Sequence, residues 1–287
     1  MISVLIIIII HSILKAIIEN LGNESTAKVA YFIQYLIIVT IIVNNFVDML
    51  GVVKAAIANV INFMQLLVPI LITLMLTTGC IVSTTTAEIV LLFVMNLIGA
   101  LISSLIIPLL MISTTLAIVN NFSDKVHVSR LSKFINSTVI WILGIILTVF
   151  VCVLSVEGTL SSSVDGLTAK TAKAAVSNFI PVVGKVMGDT VDSVIGCANL
   201  LKNAVGSIGV AILIGIVAGP IIKITIMWWF IKILGALCET IADEKVVKLF
   251  DSLADSYKVL FGILISVSVM FIIGITIVLR ITNIVTM

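Results

Sequence analysis

Charged side chains are scarce in this chain. Of its 287 residues, only 10% are Asp, Glu, Lys or Arg, whereas 61% are hydrophobic. A soluble domain carries about 25% charged residues, because much of its surface must meet water. The scarcity therefore excludes an ordinary soluble enzyme and points to a protein that has lipid as its solvent. The net charge of +2 and the lack of a dense basic run give no reason to expect a nucleic-acid partner.

Reactive side chains at the spacings of disulfide, metal-binding or catalytic motifs are also lacking. The cysteines stand alone at positions 80, 152, 197 and 238, which fits neither a disulfide framework nor a zinc site. His11 and His127 have no second ligand at metal-binding spacing, and no Walker loop, G-x-S-x-G or H-E-x-x-H motif occurs. We therefore expect no catalytic residue, no metal and no cofactor, and hence a protein that is not an enzyme. A membrane-embedded enzyme would need an intramembrane acid–base or metal cluster, which the lone His11 does not supply.

Apolar runs of bilayer length fill most of the chain. A span needs about 20 apolar residues, and lipid offers the backbone no partners, so helices are expected. The predicted fold is all-α: a polytopic transmembrane helical protein with seven or eight spans plus amphipathic interfacial helices. The predicted spans are Met1–Leu14, Val29–Val47, Phe63–Ile81, Ile89–Val119, Val139–Val156, one or two within Ile208–Leu237, and Val259–Leu279.

Two of these runs contain proline. Pro108 is expected to kink or divide the fourth run. In Ile208–Leu237, Gly219-Pro220 leaves two interpretations: one kinked helix, or a hairpin of two short helices such as those that line transporter sites. The hairpin is favoured because it returns Arg280 to the cytoplasm.

The distribution of basic residues suggests an orientation. Segment Asn120–Lys133 carries three basic residues against one acid, so the positive-inside rule predicts a cytoplasmic loop there. The link Val82–Glu88 has no Lys or Arg and would face outward, with Thr84–Thr86 as an interfacial turn. Asp48 falls where the second apolar run stops, which indicates either a helix end at the interface or a polar face towards a lumen.

Two more polar stretches have helical periodicity. In Lys185–Asn203 the polar or small positions are Lys185, Asp189, Asp192, Gly196, Asn199 and Asn203, opposite Val191, Val194, Ile195, Ala198 and Leu201. In Glu244–Lys258 they are Glu244, Lys248, Asp251, Asp255 and Lys258, opposite Val246, Phe250, Leu253 and Tyr257. Both are expected to be amphipathic helices, either in the headgroup plane or packed on other helices.

These features divide the chain into three predicted regions. Residues 1–156 would hold the N-terminal membrane helices, about five spans. Residues 157–203 would form an amphipathic or re-entrant insert. Residues 204–287 would hold the C-terminal membrane helices, with the amphipathic helix near 243–258.

The second half of the chain carries specific sequence motifs. They are Asp165-Gly-Leu-Thr-Ala-Lys-Thr-Ala-Lys173, Asn178-Phe-Ile-Pro-Val-Val-Gly184, Asp189-Thr-Val-Asp192 and Leu200-Leu-Lys-Asn-Ala-Val-Gly206. In this combination the chain resembles the stage III sporulation protein AE family. The similarity extends from Lys28-Val-Ala-Tyr31 to the C-terminus. Family members usually carry a signal sequence and a further segment before the first span, whereas this sequence opens on Met1-Ile-Ser-Val.

The resemblance implies a role that the residues alone do not reveal. It implies a membrane subunit of a channel or secretion-like complex between mother cell and forespore, located in the mother-cell membrane that surrounds the forespore. The expected partners are the lipid bilayer, other membrane subunits of that complex and its cytoplasmic ATPase. Assembly of several copies of this chain is compatible with such a role. The competing hypothesis is a stand-alone secondary transporter or permease for a small solute, which would need discontinuous helices around a midplane site.

The candidate functional residues lie in the 157–203 region. Asn178, Pro181 and Gly184 are expected to fix a turn, because Pro fixes φ and Gly allows unusual backbone angles. Lys185, Asp189 and Asp192 would form an exposed polar face that docks a partner or lines a conduit. The alternative for these three charges is a plain interfacial helix without a direct role.

Overall fold

A computed structural model describes residue 6 and residues 24–77, 81–122, 128–179, 183–241 and 244–285. Within these ranges the ordered elements are helices: α1 (Glu24–Thr77), α2 (Ile81–Leu101), a π-helical turn (Ile102–Ile106), α3 (Ile107–Phe122), α4 (Ser129–Phe179), α5 (Val183–Ile241) and α6 (Glu244–Val285). The predicted all-α class is confirmed for the described ranges. Apart from Ile6, the predicted first span, Met1–Leu14, lies outside the described residues.

Five stretches of the described chain are long and apolar enough to cross a membrane: Tyr35–Thr77, Thr84–Asn120, Ser129–Glu157, Gly196–Glu239 and Lys245–Arg280. Large hydrophobic side chains remain on their surface, among them Leu66 and Phe93 at 70% and 67% exposure. Such exposure would be costly in water and is ordinary in lipid. The seven or eight spans predicted from the sequence are not confirmed.

Helix α1 is one reason for the smaller count. It contains Val29–Val47 and most of Phe63–Ile81, which the sequence suggested as two spans, without a break. Asp48 therefore does not mark a helix end. The intervening residues carry only Asp48 and Lys54 as charges, and nothing in them stops a helix.

Helices α2 and α3 are joined by the π-helical turn, directly before Pro108. Proline has no N–H for the carbonyl four residues earlier, and its ring clashes there, so a widened turn accommodates it. The expected disturbance at Pro108 thus takes the form of a π turn. The predicted link Val82–Glu88 is helical instead, since these residues belong to the first turns of α2, and the side of the membrane that they face stays a prediction.

The proline of α5 does not disturb the regular helix, unlike Pro108. Pro220 lies inside one continuous helix from Val183 to Ile241, so the favoured hairpin at Gly219-Pro220 is wrong. A single missing backbone hydrogen bond does not outweigh the remaining bonds of a helix in lipid.

Helix α6 bears out the amphipathic pattern of Glu244–Lys258. Its apolar positions are buried: Val246, Phe250, Leu253 and Tyr257. Its charged positions Lys248, Asp251, Asp255 and Lys258 are exposed. The stretch is the first part of one helix that continues to Val285, and its apolar side packs within the protein.

Two compact units are assembled from these helices. The first unit comprises residues 1–55, 102–142 and 219–264, and the second comprises residues 56–101, 143–218 and 265–287. The core of the first unit includes Phe46, Leu110, Leu249 and Leu260. That of the second includes Met64, Leu91, Phe150 and Val267. These two units are a different division from the three predicted sequence regions, which stay a prediction.

Candidate functional site

The six candidate residues from the sequence fall at the junction of two helices. Asn178 is in the last turn of α4, Gly184, Lys185, Asp189 and Asp192 are in the first turns of α5, and Pro181 lies outside the described residues. Helix α4 is described as far as Phe179 and α5 from Val183, and the predicted turn falls on the residues between them, which lie outside the described set. The side chains of residues 158–195 are outside the described set, so a docking or conduit face remains a prediction.

The helical backbone nevertheless fixes the spacing of three charges. Lys185, Asp189 and Asp192 are four and three residues apart in continuous helix, and such positions project from one side. The periodic pattern is only partly met further along α5. Ala198 is buried as expected, whereas Leu201 is exposed at 57% and Lys202 is buried.

Lys202 is the least expected buried side chain of the second unit. It is 0% exposed, and its Nζ donates a hydrogen bond of 3.0 Å to the carbonyl of Leu279 on α6. Gly206, one turn further along α5, faces the same leucine, since an added Cβ would lie 2.5 Å from both Leu279 methyl groups. Together they bring α5 and α6 close. The sequence indicated this contact only by a lysine at the edge of an apolar run. The periodic pattern of Lys185–Asn203 did not predict that Lys202 would be buried.

A second polar contact of this unit joins α2 to α4. The hydroxyl of Thr86 donates to Glu157 Oε1 at 2.7 Å. Thr84–Thr86, predicted as an interfacial turn, are helical instead. Glu157 ends the apolar stretch of α4, so a carboxylate and a helix-borne hydroxyl meet where that stretch stops. In the same unit, Gln65 of α1 donates to Asn96 of α2 at 3.1 Å.

The first unit contains a buried hydroxyl cluster on α3, α4 and α6. The Ser113 hydroxyl donates to the Ser132 carbonyl at 2.8 Å, and the Ser132 hydroxyl donates to the Ser113 carbonyl at 2.9 Å. Thr114 Oγ1 lies 2.9 Å from Ser256 Oγ. Interhelical hydroxyl bonds of this type join helices where lipid supplies no competing partner. The cluster therefore serves packing.

The same unit brings aromatic and charged groups together at α6. The Tyr257 ring meets the Phe46 ring edge-on with centroids 5.4 Å apart, and Asp48 is close enough to act electrostatically on the Tyr257 hydroxyl. That hydroxyl is buried without a hydrogen-bond partner among the described groups. In the same unit, Lys232 of α5 forms an exposed salt bridge with Asp251 of α6, with 3.1 Å between the lysine Nζ and a carboxylate oxygen.

No metal-binding cluster is present among the described residues, where no group of three His, Cys, Asp or Glu side chains converges. The absence of a cofactor and of catalysis stays a prediction. The polar contacts found here join helices, and none assembles a nucleophile with a base.

Long apolar helices, lipid-compatible surfaces and interhelical hydroxyl contacts define a polytopic helical membrane protein. The family model of stage III sporulation protein AE matches residues 1–282. Stage III sporulation protein AE of Bacillus subtilis (strain 168) is 33% identical over 288 residues, which cover 100% of this chain and 72% of that protein. The chain belongs to the stage III sporulation protein AE family. No solved structure matches it.

Proposed function

We propose that this chain is a non-enzymatic integral membrane subunit of a sporulation-specific channel or secretion-like complex between mother cell and forespore. Its partners would be the lipid bilayer, the other membrane subunits and the cytoplasmic ATPase of that complex. Its place would be the mother-cell membrane around the forespore. Membership of a sporulation family supports the developmental role, and the long apolar helices support the membrane location.

The observation that carries the proposal is the length of α4 and α5. Helix α4 continues beyond Glu157, the charge that ends its apolar stretch, as far as Phe179. Helix α5 begins at Val183, well before Lys202, the charge at the start of its long apolar run. A protein that only crossed the bilayer would not need about 30 Å of further helix in each of these two elements. Such an extension provides a surface for partner subunits, and it carries the predicted face Lys185, Asp189 and Asp192.

The test is co-purification from sporulating cells in mild detergent. The complex members should be recovered with the wild-type chain and lost with Asp189→Ala/Asp192→Ala, because the proposed docking face would lose two carboxylates. Asp251→Ala/Asp255→Ala is the matched control, with two exposed acids on α6. Normal assembly and sporulation with the first variant would reduce that face to a solvated surface.

The alternative function is a secondary transporter or permease for a small solute. Its broken helices were expected at Pro108 or Gly219-Pro220. Helix α5 continues through Pro220, so the π turn before Pro108 is the remaining irregularity within the described helices that favours it. Purified chain that runs alone and moves a solute into liposomes would establish the transporter and end the channel-subunit proposal.

A further inference from the structure

Uncharged polar side chains gather on the exposed side of two helices of the second unit. Asn59, Asn62 and Gln65 follow one another at steps of three residues on α1, and all three are exposed. Such steps place side chains on neighbouring turns of one side of a helix. Gln65 Nε2 donates a hydrogen bond of 3.1 Å to Oδ1 of Asn96, which is exposed on α2. We call Asn59, Asn62, Gln65 and Asn96 the carboxamide patch.

The carboxamide patch lies deep in a stretch that can cross a bilayer. Residues 55–77 of α1 carry no charge and give about 35 Å of helix, enough for a hydrocarbon core of about 30 Å. Gln65 is about 15–18 Å along the helix axis from either end of this stretch. On α2, Asn96 lies within the apolar stretch Thr84–Asn120. The carboxamides therefore stand where lipid offers no hydrogen-bond partner.

The hydrogen bonds of the patch are incomplete, unlike those of many exposed hydroxyls in the same unit. Exposed hydroxyls that donate to the carbonyl four residues earlier in their own helix are those of Thr73, Thr148, Ser207 and Thr276. By contrast, the carboxamides of Asn59 and Asn62 form no hydrogen bond within the described part of the chain. An unpaired carboxamide in hydrocarbon is costly, so these two side chains call for a hydrogen-bonding partner from outside the chain.

The side chains around the patch are apolar. Leu66 and Ile70 flank it on α1, Phe93 and Leu97 flank it on α2, and all four are exposed. A water-filled passage needs polar side chains along its length, whereas here a polar island is enclosed by apolar side chains. Helix contacts in membranes have this composition, because single Asn and Gln side chains form hydrogen bonds across an otherwise apolar interface.

The chemistry of the patch fits a second copy of the same chain. Two copies inserted with the same orientation bring parallel helices together, and residues near the symmetry axis meet their own counterparts. A charge there would repel its counterpart, whereas a carboxamide both donates and accepts and so can bond to its own kind. The patch consists of carboxamides alone. Ala58, which is exposed one turn before Asn62, leaves room for two backbones to approach.

We propose that two copies of this chain associate through the carboxamide patch, with α1 of one copy parallel to α1 of the other. Asn62 is central among the three carboxamides of α1, and it bonds across the axis of the dimer. Asn96 holds Gln65 beside it from α2. The contact covers the polar island together with its apolar rim. It goes beyond the proposed function, because it requires no other sporulation protein.

Crosslinking between copies in the membrane tests this contact. Ala58→Cys is introduced into the full chain with the native cysteines replaced by alanine and expressed without other sporulation proteins, so that every carboxamide of the patch is kept. Oxidation of the membranes with copper phenanthroline should link two copies into a disulfide-bonded dimer. The matched control is Val149→Cys, which is also exposed but lies on α4 outside the patch, and it should stay monomeric. Absence of a dimer from Ala58→Cys would overturn the proposal.

Removal of one carboxamide separates a specific contact from random collision. Adding Asn62→Leu to Ala58→Cys should lower the initial rate of linking about tenfold, the effect of one lost hydrogen bond between membrane helices. Asn203→Leu is the control, because Asn203 is an exposed carboxamide on α5 outside the patch, and it should leave the rate unchanged. Equal rates for the two variants would also overturn the proposal.

A charged, membrane-impermeant maleimide distinguishes a second copy from water. Ala58→Cys in opened membranes should be protected from this probe and should react after denaturation in detergent, because the contact excludes water. Equally fast reaction in both conditions would show a water-filled passage and overturn the proposal. Loss of the contact would leave the proposed function standing, since that function is tested by co-purification with other proteins.

Discussion

Each of the two units has its own kind of contact between its helices. In the first unit, hydroxyl groups bridge neighbouring helices at Ser113–Ser132 and Thr114–Ser256. In the second unit, glycines let large side chains come close. An added Cβ would lie 2.5 Å from Leu279 at Gly206, 2.6 Å from Leu67 at Gly209, and 2.5 Å from Ile61 at Gly99. The closest such approach at a described glycine of the first unit is 3.3 Å, between Gly235 and Phe250.

The contrast shows two ways to join helices when lipid is as apolar as the side chains. Close packing gains dispersion over many atoms, whereas a hydroxyl bond gains one directional interaction. Added volume at these glycines must displace the side-chain ends of Leu279, Leu67 or Ile61, whereas a hydroxyl pair tolerates a small apolar replacement. The second unit should therefore be the more sensitive to added side-chain volume. Unfolding of the detergent-solubilised protein, followed by circular dichroism, measures each effect below.

The largest effect is expected at Gly206. Gly206→Val would place new carbons against Leu279 and should lower the free energy of unfolding by about 1–3 kcal/mol. The control is Gly215→Ala on the same helix, where no atom lies within 4 Å, and it should be neutral or slightly stabilising. Equal effects of the two variants would break the comparison between the units.

The next effect has the opposite sign and concerns Tyr257. Its hydroxyl is buried without a hydrogen-bond partner among the described groups, so Tyr257→Phe should raise the free energy of unfolding by about 1 kcal/mol. The ring contact with Phe46 is kept in this variant. Tyr257→Leu, which removes the ring contact, should destabilise. A loss of stability in Tyr257→Phe would mean that the hydroxyl has a partner, and Asp48 would be the first one to examine.

A smaller loss is expected for the hydroxyl pair of the first unit. Ser113→Ala/Ser132→Ala removes the reciprocal bonds and should cost about 0.6 kcal/mol, the average for such contacts between membrane helices. Thr138→Ala serves as the control, because this exposed hydroxyl bonds only the carbonyl of Phe134 in its own helix. A loss as large as that of Gly206→Val would show that the hydroxyl bonds of the first unit stabilise it as much as close packing stabilises the second.

The smallest effect concerns the exposed ion pair. Lys232 and Asp251 have side chains 45% and 61% exposed, so solvent screens their attraction, and a double-mutant cycle with Lys232→Gln and Asp251→Asn should give less than about 0.5 kcal/mol. The coupling should shrink further as salt is raised. A coupling above 1 kcal/mol that is insensitive to salt would indicate a less solvated pair than its exposure suggests.

Sequence periodicity correctly predicted which side chains are buried where only one side of a helix packs against protein. The charged and apolar positions of Glu244–Lys258 separate as predicted, because the buried side of α6 meets other helices and its charges meet solvent. The same reasoning failed at Leu201 and Lys202. Lipid accepts an exposed leucine, and a neighbouring helix carbonyl accepts a buried lysine, so polarity did not report burial there.

Breaks in helices were harder to predict than the helices themselves. Gly219-Pro220 suggested a hairpin and lies inside α5, whereas the turn predicted at Asn178–Gly184 falls largely on residues outside the described set and stays a prediction. A proline removes one backbone hydrogen bond, and whether a helix survives this depends on the helices around it. The predicted roles of Asn178, Pro181, Gly184, Lys185, Asp189 and Asp192 stay untested.

The sequence by itself determined that the chain is helical and made for lipid, because scarce charge and long apolar runs leave no other solvent for so much hydrophobic surface. The motifs between Asp165 and Gly206 also indicated the family. Only the tertiary structure decided where one helix replaces two predicted spans, and which polar groups meet. The physical reason is that a helix satisfies its own backbone whatever its neighbours are, whereas the bond from Lys202 to the Leu279 carbonyl and the fit of Gly206 against Leu279 exist only once two distant helices lie side by side.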